Sequence, residues 1–178
     1  MKAKKKIKQL SFLIAAFVLF SCNVKSPAKT DAEKEAISTQ VNTFLDQWHL
    51  AASEADFDGY FNKMDSLSIF IGTDATENWN KSEFVAFSKP YFDRGRAWSF
   101  TAIDRNTYMN NDASFIWFDE LLSTWMGLCR GSGVLQKKGD EFTLKHYVLS
   151  VTVPNDDIQK LIDVKKETDS IIAKTFEK

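Results

Sequence analysis

Two side chains in the second half of the chain have the chemistry of an acid–base pair, His146 and Asp119. Each lies in a run of alternating apolar residues, which is typical of a strand with one face in the core. The imidazole of histidine has an unperturbed pKa of about 6.5 and exchanges protons near neutral pH. A neighbouring carboxylate would orient the ring and favour its charged form. The two residues are therefore the candidate catalytic pair for proton transfer without a cofactor.

The surroundings of His146 depend on the hairpin that carries it. A two-residue turn at Lys138-Gly139 would pair His146 with Gly131, on a face that also holds Gly127 and Gly133. The missing side chains would leave open volume around the imidazole. That volume could hold a ligand, admit a helix or let the sheet bend, and His146 could also be a hydrogen-bonded core residue.

Asp119 lies on a strand face that is otherwise apolar, where a carboxylate needs a partner. It reaches the face of His146 only if the link to the next strand, near Trp125, has an odd length or a bulge. Otherwise an ion pair with Arg130 or Arg105 would satisfy the carboxylate.

Aromatic residues are numerous enough to line a ligand cavity as well as a core, since the chain has 15 Phe, five Trp and four Tyr. The candidate ligand-binding residues are Trp48, Tyr60, Asp74, Trp79, Trp98 and Trp117. Asp74 could contact a ligand or cap the following turn. Trp48 also has the helical spacing of a plain core residue.

Three polar residues are predicted to lie away from the core. His49 lies off the apolar stripe of its helix and is predicted to be exposed. Glu120 and Arg130 alternate with Asp119 and Cys129, so they fall on the opposite faces of their strands. Contact with solvent or with a second subunit is the expectation for both.

The elements that must position these residues begin with helices. Thr30-Asp31-Ala32-Glu33 has the spacing of a capping box and precedes a long apolar stripe. Asp56 can cap a short second helix, and Asn80-Lys81-Ser82-Glu83 can begin a third, which Pro90 should end or kink. Asn155-Asp156-Asp157 precedes a final helix.

Strand patterns follow the helices. Residues 66–71 form a brief apolar strand, and four longer runs have period-two alternation: 97–109, 113–124, 126–136 and 141–153. Helices followed by successive antiparallel strands are typical of an α+β fold. We expect a curved antiparallel sheet, with the long first helix across its concave face.

The N-terminal residues have the order of a secretory signal. Five lysines among residues 2–8 precede an apolar run from Leu10 to Phe20, and Ser21-Cys22 follows. The run is shorter than the ~20 residues that a membrane-spanning helix needs. Leu19-Phe20-Ser21-Cys22 resembles the lipobox of bacterial lipoproteins, in which the cysteine is diacylated. The resemblance implies cleavage after residue 21, a lipid anchor on Cys22 and a tether over residues 22–30; the alternative is an ordinary cleaved signal.

Composition limits the remaining 157 residues. They keep 18 basic and 24 acidic groups, a formal charge of −6, which argues against a nucleic-acid partner. Their length suits one domain. Cys129 would be a free thiol with no partner for a disulfide, and two histidines with one cysteine do not form a zinc motif. No metal and no cofactor are expected.

The order of elements resembles the SnoaL-like branch of the nuclear-transport-factor-2-like superfamily. The segments that carry the resemblance are Phe70 to Asp74 with Glu77 and Trp79, Gly95 to Trp98, Trp117 to Glu120, Gly131 to Leu135, and Phe142 to His146 with Val153-Pro154-Asn155. The resemblance implies a cone of helices packed into a bent sheet, with a cavity open at one end. It implies a domain over residues 31–155, which leaves 156–178 as an added C-terminal helix.

Three functions fit this resemblance. The first is a lipid-anchored envelope protein that binds a small apolar or aromatic molecule in the cavity. The second is a cofactor-independent acid–base enzyme, of the isomerase, cyclase or dehydratase type, that uses His146 and Asp119. The third is an interaction module whose outer sheet face forms a homodimer. A fold of this kind does not by itself decide among them.

Overall fold

The computed structural model describes residues 27–177, so the predicted signal and Cys22 lie outside the described residues. The helices are α1 (Asp31–Ser53), α2 (Phe57–Phe61), α3 (Lys81–Asp93) and α4 (Ile158–Thr175), and a 3-10 turn over Asn155–Asp157 precedes the last. The strands are β1 (Met64–Ile71), β2 (Asn78–Asn80), β3 (Thr101–Met109), β4 (Phe115–Thr124), β5 (Gly127–Lys138) and β6 (Glu141–Val151).

Side-chain caps begin the first three helices as the sequence predicts. Thr30 and Asn80 each take part in a capping box with the glutamate three residues later, and Asp56 accepts a hydrogen bond from Gly59 N at 2.9 Å. Pro90 does not end α3, which continues to Asp93. Phe92, in the last turn, is buried in the core and holds that turn in place.

The strands form one mixed sheet in the order β2-β1-β6-β5-β4-β3. β1 and β6 run parallel, and every other neighbouring pair is antiparallel. Register shifts interrupt the ladders β1/β6, β3/β4 and β5/β6. Such bulges bend a sheet and increase its twist, so α1 and α3 can pack against its concave side. The α+β fold with a curved sheet, N-terminal helices and an extra C-terminal helix is confirmed, and the sheet is antiparallel except between the neighbours β1 and β6.

Aromatic side chains fill most of the space between the helices and the sheet. Trp48 of α1, Tyr60 of α2, Phe84 of α3 and Tyr147 of β6 are at most 1% exposed. The rings of Phe70 and Phe84 stack with centroids 3.9 Å apart, and those of Trp48 and Tyr60 with centroids 4.8 Å apart. The remaining open space therefore lies at the ends of the sheet.

α4 contributes none of its residues to the core. Its side chains Val164, Thr168 and Ile172 border a groove with the loop between β1 and β2. No helix within residues 27–177 has both the length and the apolar character needed to cross a membrane.

Candidate functional site

An apolar cleft of about 140 Å³ opens at the end of the sheet where β1 and β6 finish. We call it the mouth cleft. Its lining residues are Phe70, Gly72, Thr73, Glu77, Trp79, Phe84, Phe87, Trp98, Phe100, Trp125, Met126 and Leu149. Seven of the twelve are Phe or Trp, so the cleft is suited to a small apolar or aromatic ligand.

Secondary structure places the aromatic wall of the mouth cleft. Trp79 lies in β2 opposite Phe70 of β1, and its ring stacks on Phe87 of α3 with centroids 4.4 Å apart. Phe84 is buried at the base of the wall. Trp125, in the tight turn between β4 and β5, is 81% exposed at the rim. The predicted ligand-binding residues Trp79 and Trp98 thus line a cleft.

The loop between β1 and β2 forms the polar edge of the mouth cleft. Gly72 N donates to the backbone carbonyl of Glu77 at 3.0 Å, which closes the loop. Asp74 accepts hydrogen bonds from the backbone N and the hydroxyl of Thr76, at 2.9 and 2.6 Å. These bonds lower the pKa of Asp74. Asp74 therefore caps a turn, as one sequence reading had it, while the neighbouring Glu77 lines the cleft.

Trp48 and Tyr60 belong to the core and do not line the mouth cleft. Trp48 is fully buried and Tyr60 is 1% exposed. Burial raises the pKa of the Tyr60 hydroxyl well above its ordinary value of 10.0. Trp48 is therefore a core residue, the alternative that its helical spacing predicted, and its ring stacks on that of Tyr60.

The predicted pairing of His146 with Gly131 is wrong. The turn of the β5/β6 hairpin lies at Gly139-Asp140, one residue later than predicted, because Lys138 pairs with Glu141. A bulge then shifts the register, so that His146 pairs with Val134. The moved turn alone would pair His146 with Gly133, on the same face as Gly131, so the bulge is what turns His146 away from the concave side, where Leu144 and Tyr147 are buried instead.

Asp119 and Trp117 also lie on the convex side of the sheet, which we call the outer face. Trp117 is 47% exposed and stacks on Tyr108 with centroids 6.2 Å apart. Asp119 accepts a hydrogen bond from Arg130 at 3.1 Å, the ion pair that was one of the sequence alternatives. The ladders place Asp119 opposite Ser132 and His146 opposite Val134. The structure thus does not bring His146 and Asp119 together, and neither lines the mouth cleft.

The concave side holds a different ionisable group, the carboxylate of Glu120, which was expected at the surface. Glu120 is fully buried, and its Oε1 accepts from the Tyr147 hydroxyl at 2.9 Å and lies 2.8 Å from His49 Nε2. Its Oε2 accepts from Arg105 Nε at 2.9 Å. We call Glu120, His49, Arg105 and Tyr147 the Glu120 network. The predictions that His49 and Glu120 are exposed are wrong.

The Glu120 network holds its carboxylate ionised. Burial alone would raise the pKa of Glu120, but the hydrogen bond and charge of His49 and the charge of Arg105 lower it below its ordinary value of 4.5. Burial, together with the negative charge of Glu120, raises the pKa of Tyr147 well above 10.0. The network is therefore a cluster of buried ion pairs, in which Arg105 Nη2 lies 2.9 Å from Glu120 Oε2 without forming a hydrogen bond.

Sequence patterns in α1 and in β4 indicate that members of the Glu120 network lie on the inner side of the fold. Val41, Leu45 and His49 recur every four residues, which is the spacing of one helix face. In β4, Phe118 and Glu120 pair with Gly133 and Gly131 of β5. A Cβ on Gly131 would overlap the Tyr147 hydroxyl and approach Glu120. The glycines opposite Phe118 and Glu120 therefore indicate that these large side chains lie on the crowded inner face.

A second cleft, of about 360 Å³, lies between the end of α1 and the start of β3. His49 reaches it from the Glu120 network, beside Asp46, Ser53 and Thr101. Phe100 lines both clefts. Within residues 27–177, no group of three or more His, Cys, Asp or Glu side chains is arranged to hold a metal ion.

Solved structures with similar folds are numerous, and their low sequence identity limits the comparison to the fold. An NTF2-like protein of unknown function from Pseudomonas putida KT2440 superposes with a TM-score of 0.57 at 11% identity, over 68% of this chain and 90% of that one. A cystatin-like protein from Nostoc punctiforme PCC 73102 gives 0.53 at 11% identity, over 70% and 95%. The association domain of C. elegans CaMKII gives 0.50 at 22% identity, over 67% and 96%.

Sequence comparison reaches the family directly. No curated protein matches the chain. The SnoaL-like domain family matches residues 41–154, which include β1 to β6 and most of α1. The chain therefore belongs to the SnoaL-like domain family, with the nuclear-transport-factor-2-like fold that the sequence resemblance implied.

Proposed function

We propose that the protein binds a small apolar or aromatic molecule in the mouth cleft and does not transform it. The observation that carries the proposal is the wall of Trp and Phe side chains around an open cleft of about 140 Å³. Apolar lining with few polar groups is typical of small-molecule sites. The acid–base alternative loses its support, because His146 and Asp119 lie on the outer face.

Replacing Trp125 with alanine is expected to weaken ligand binding at the mouth cleft by about two- to tenfold, the effect of losing one aromatic contact of about 0.5–1.5 kcal/mol. Because Trp125 is 81% exposed, the change should leave stability almost unaltered. The probe is 4-fluorotoluene, followed through the broadening of its fluorine NMR signal as protein is added.

The matched control is Trp117→Ala, which removes an indole from the outer face and should leave binding of 4-fluorotoluene unchanged. Equal affinities of the two variants, or a fluorine signal that wild-type protein never broadens, would contradict a ligand site at the mouth cleft.

We further propose that the protein is anchored in the cell envelope through a diacylated Cys22. The support is the order of lysines, apolar run and Ser21-Cys22 in the sequence. The fold is compatible with such an anchor, because Lys29 N donates to the carbonyl of Asn111 at 2.7 Å, in the turn between β3 and β4. That turn is separated from Trp125 by the full length of β4, roughly 30 Å for ten residues. A tether at residues 22–30 would therefore hold the mouth cleft on the far side from the membrane.

Replacing Cys22 with serine is expected to abolish the diacyl modification of the N-terminal peptide, because serine has no thiol to carry the lipid. The measurement is fractionation of cells combined with mass spectrometry of the N-terminal peptide. Cys129→Ser is the control, because that thiol is buried in the core. An unmodified N-terminal peptide in the wild-type protein would refute the anchor.

A second candidate function is homodimerisation through the outer face. Trp117 and Tyr108 are each 47% exposed there, and Phe115 beside them is 44% exposed. Stacked exposed aromatics are typical of interface cores. The similarity in fold to an association domain is compatible with this assembly.

Replacing Trp117 with arginine is expected to convert a dimer to a monomer, because the interface would have to bury an added charge. Sedimentation velocity measures the state, and Trp125→Arg controls for the loss of an exposed indole elsewhere. A wild-type protein that sediments as a monomer at tens of micromolar would exclude a dimer of useful affinity.

A further inference from the structure

The mouth cleft contains one negative charge among its aromatic side chains. Among the residues of 27–177 that line the cleft, Glu77 is the only ionisable one, and the lining also includes Trp79, Trp98 and Trp125. A ligand in this cleft would therefore contact both a carboxylate and aromatic rings. The chemical class of ligand that these residues indicate rests on the proposed ligand-binding function.

The Glu77 carboxylate is held in place by the loop. Its Oε2 accepts from Asp74 N at 3.1 Å, and a Cβ on Gly72 would overlap the same oxygen. Glycine at position 72 thus allows the carboxylate to lie directly against the end of β1. The side chain has a defined position before any ligand arrives, which lowers the entropic cost of binding.

Within the described part of the chain, no cationic side chain forms an ion pair with Glu77. Among residues 27–177, no lysine or arginine nitrogen lies within 4.0 Å of the Glu77 carboxylate. Lys165 lines the neighbouring groove with Glu77, but it pairs with Asp169 at 3.4 Å. The negative charge of Glu77 is therefore available to a ligand.

The aromatic side chains favour the same sign of ligand charge. The faces of tryptophan rings are negative and attract cations, most strongly where water is excluded. Trp125 stacks on no other ring among the described residues and is 81% exposed, so its faces are open to a ligand. An anion would be repelled by Glu77, and a bare metal ion would find one carboxylate where it needs several oxygen ligands.

We infer that the mouth cleft binds a small organic cation, an ammonium group with apolar substituents, held between the Glu77 carboxylate and the Trp faces. The substituents would fill the apolar volume of about 140 Å³, and the charge would be shared between the carboxylate and the rings.

The test uses choline and its neutral carbon isostere, 3,3-dimethylbutan-1-ol, titrated into the purified protein by ligand-observed NMR. Choline is expected to bind at least tenfold more tightly than the isostere. Glu77→Gln keeps an acceptor for Asp74 N but removes the charge, so it should weaken choline binding by about tenfold and leave the isostere unchanged. Asp74→Asn is the matched control, because it removes a charge from the same loop outside the cleft lining and should alter choline affinity less than twofold.

Several results separate this inference from the proposed function. Equal binding of choline and its isostere, or a Glu77→Gln variant that binds choline as wild type does, would overturn the assignment of a cationic ligand. Binding of 4-fluorotoluene without choline would do the same while preserving an apolar site. Failure of all three probes to bind would reject the mouth cleft as a ligand site altogether.

Discussion

Replacing Glu120 with glutamine is expected to lower the free energy of unfolding by about 3 kcal/mol. The substitution keeps the shape of the side chain but leaves the buried guanidinium of Arg105 without its main counter-charge, and breaking a buried ion pair typically costs about 3–5 kcal/mol. The low end of that range applies because Arg105 also contacts Asp46 Oδ1 at 2.9 Å and the Asn42 carbonyl at 3.1 Å. Urea unfolding at pH 7 measures the change.

The adjacent residue provides the matched control. Asp119→Asn removes a carboxylate from the outer face, where its partner Arg130 is half-exposed, and should cost less than about 1 kcal/mol. If Glu120→Gln proved no more destabilising than Asp119→Asn, the Glu120 network would not contribute to stability as its burial indicates.

The effect of Glu120 should also depend on pH in a defined direction. Its pKa in the folded protein is lower than the ordinary value of 4.5, so the folded state favours the ionised form. The stabilisation by Glu120 is fully present above pH 4.5 and is lost as pH falls through the folded pKa. The difference in stability between wild type and Glu120→Gln should therefore shrink below about pH 4.5.

Replacing Trp48 with alanine is expected to lower the free energy of unfolding by about 3–5 kcal/mol, the typical cost of deleting a fully buried Trp or Phe side chain. The indole stacks on Tyr60 and meets Tyr147 edge-on, both with centroids 4.8 Å apart, so its loss leaves a cavity that these rings cannot fill without moving. A decrease in Tm of roughly 10 °C is the corresponding thermal effect for a domain of this size.

Trp125→Ala is the matched substitution for stability, because the side chain is 81% exposed and should contribute less than about 0.5 kcal/mol. Urea unfolding of both variants distinguishes a core tryptophan from a rim tryptophan. A Trp48→Ala variant within 1 kcal/mol of wild type would mean that Trp48 lines open space, as the ligand-binding hypothesis for that residue required.

Local chemistry explains the parts of the fold that could be predicted from the sequence. A cap needs an oxygen at one residue and an amide three residues later, so Thr30, Asp56 and Asn80 mark helix starts without reference to the rest of the chain. Period-two alternation likewise marks strands, and the predicted strand 113–124 is close to the observed β4. The resemblance to the SnoaL-like branch came from the order of such elements.

The same alternation does not say which face of a strand lies inside. In β4, Phe115, Trp117 and Leu121 form one apolar row, and Ile116, Phe118 and Leu122 form another. Both rows are apolar in sequence, so the pattern cannot decide between them. The prediction that Asp119 lies on the core face and Glu120 at the surface chose the wrong row. In the fold the second row is buried, and Glu120 within it contacts His49 of α1, so the structure makes the opposite choice.

Register depends on contacts between neighbouring strands and on the exact position of the turns that join them, which no local pattern determines. One bulge between β5 and β6 was enough to place His146 on the outer face, because it moves the pairing by a single residue. The mouth cleft similarly combines Trp79, Trp98 and Trp125, which only the tertiary fold brings together. The sequence by itself determined the family and the starts of the first three helices. Tertiary packing decided which ionisable groups are buried and where a ligand could bind, because faces and registers are chosen by contacts that no local pattern contains.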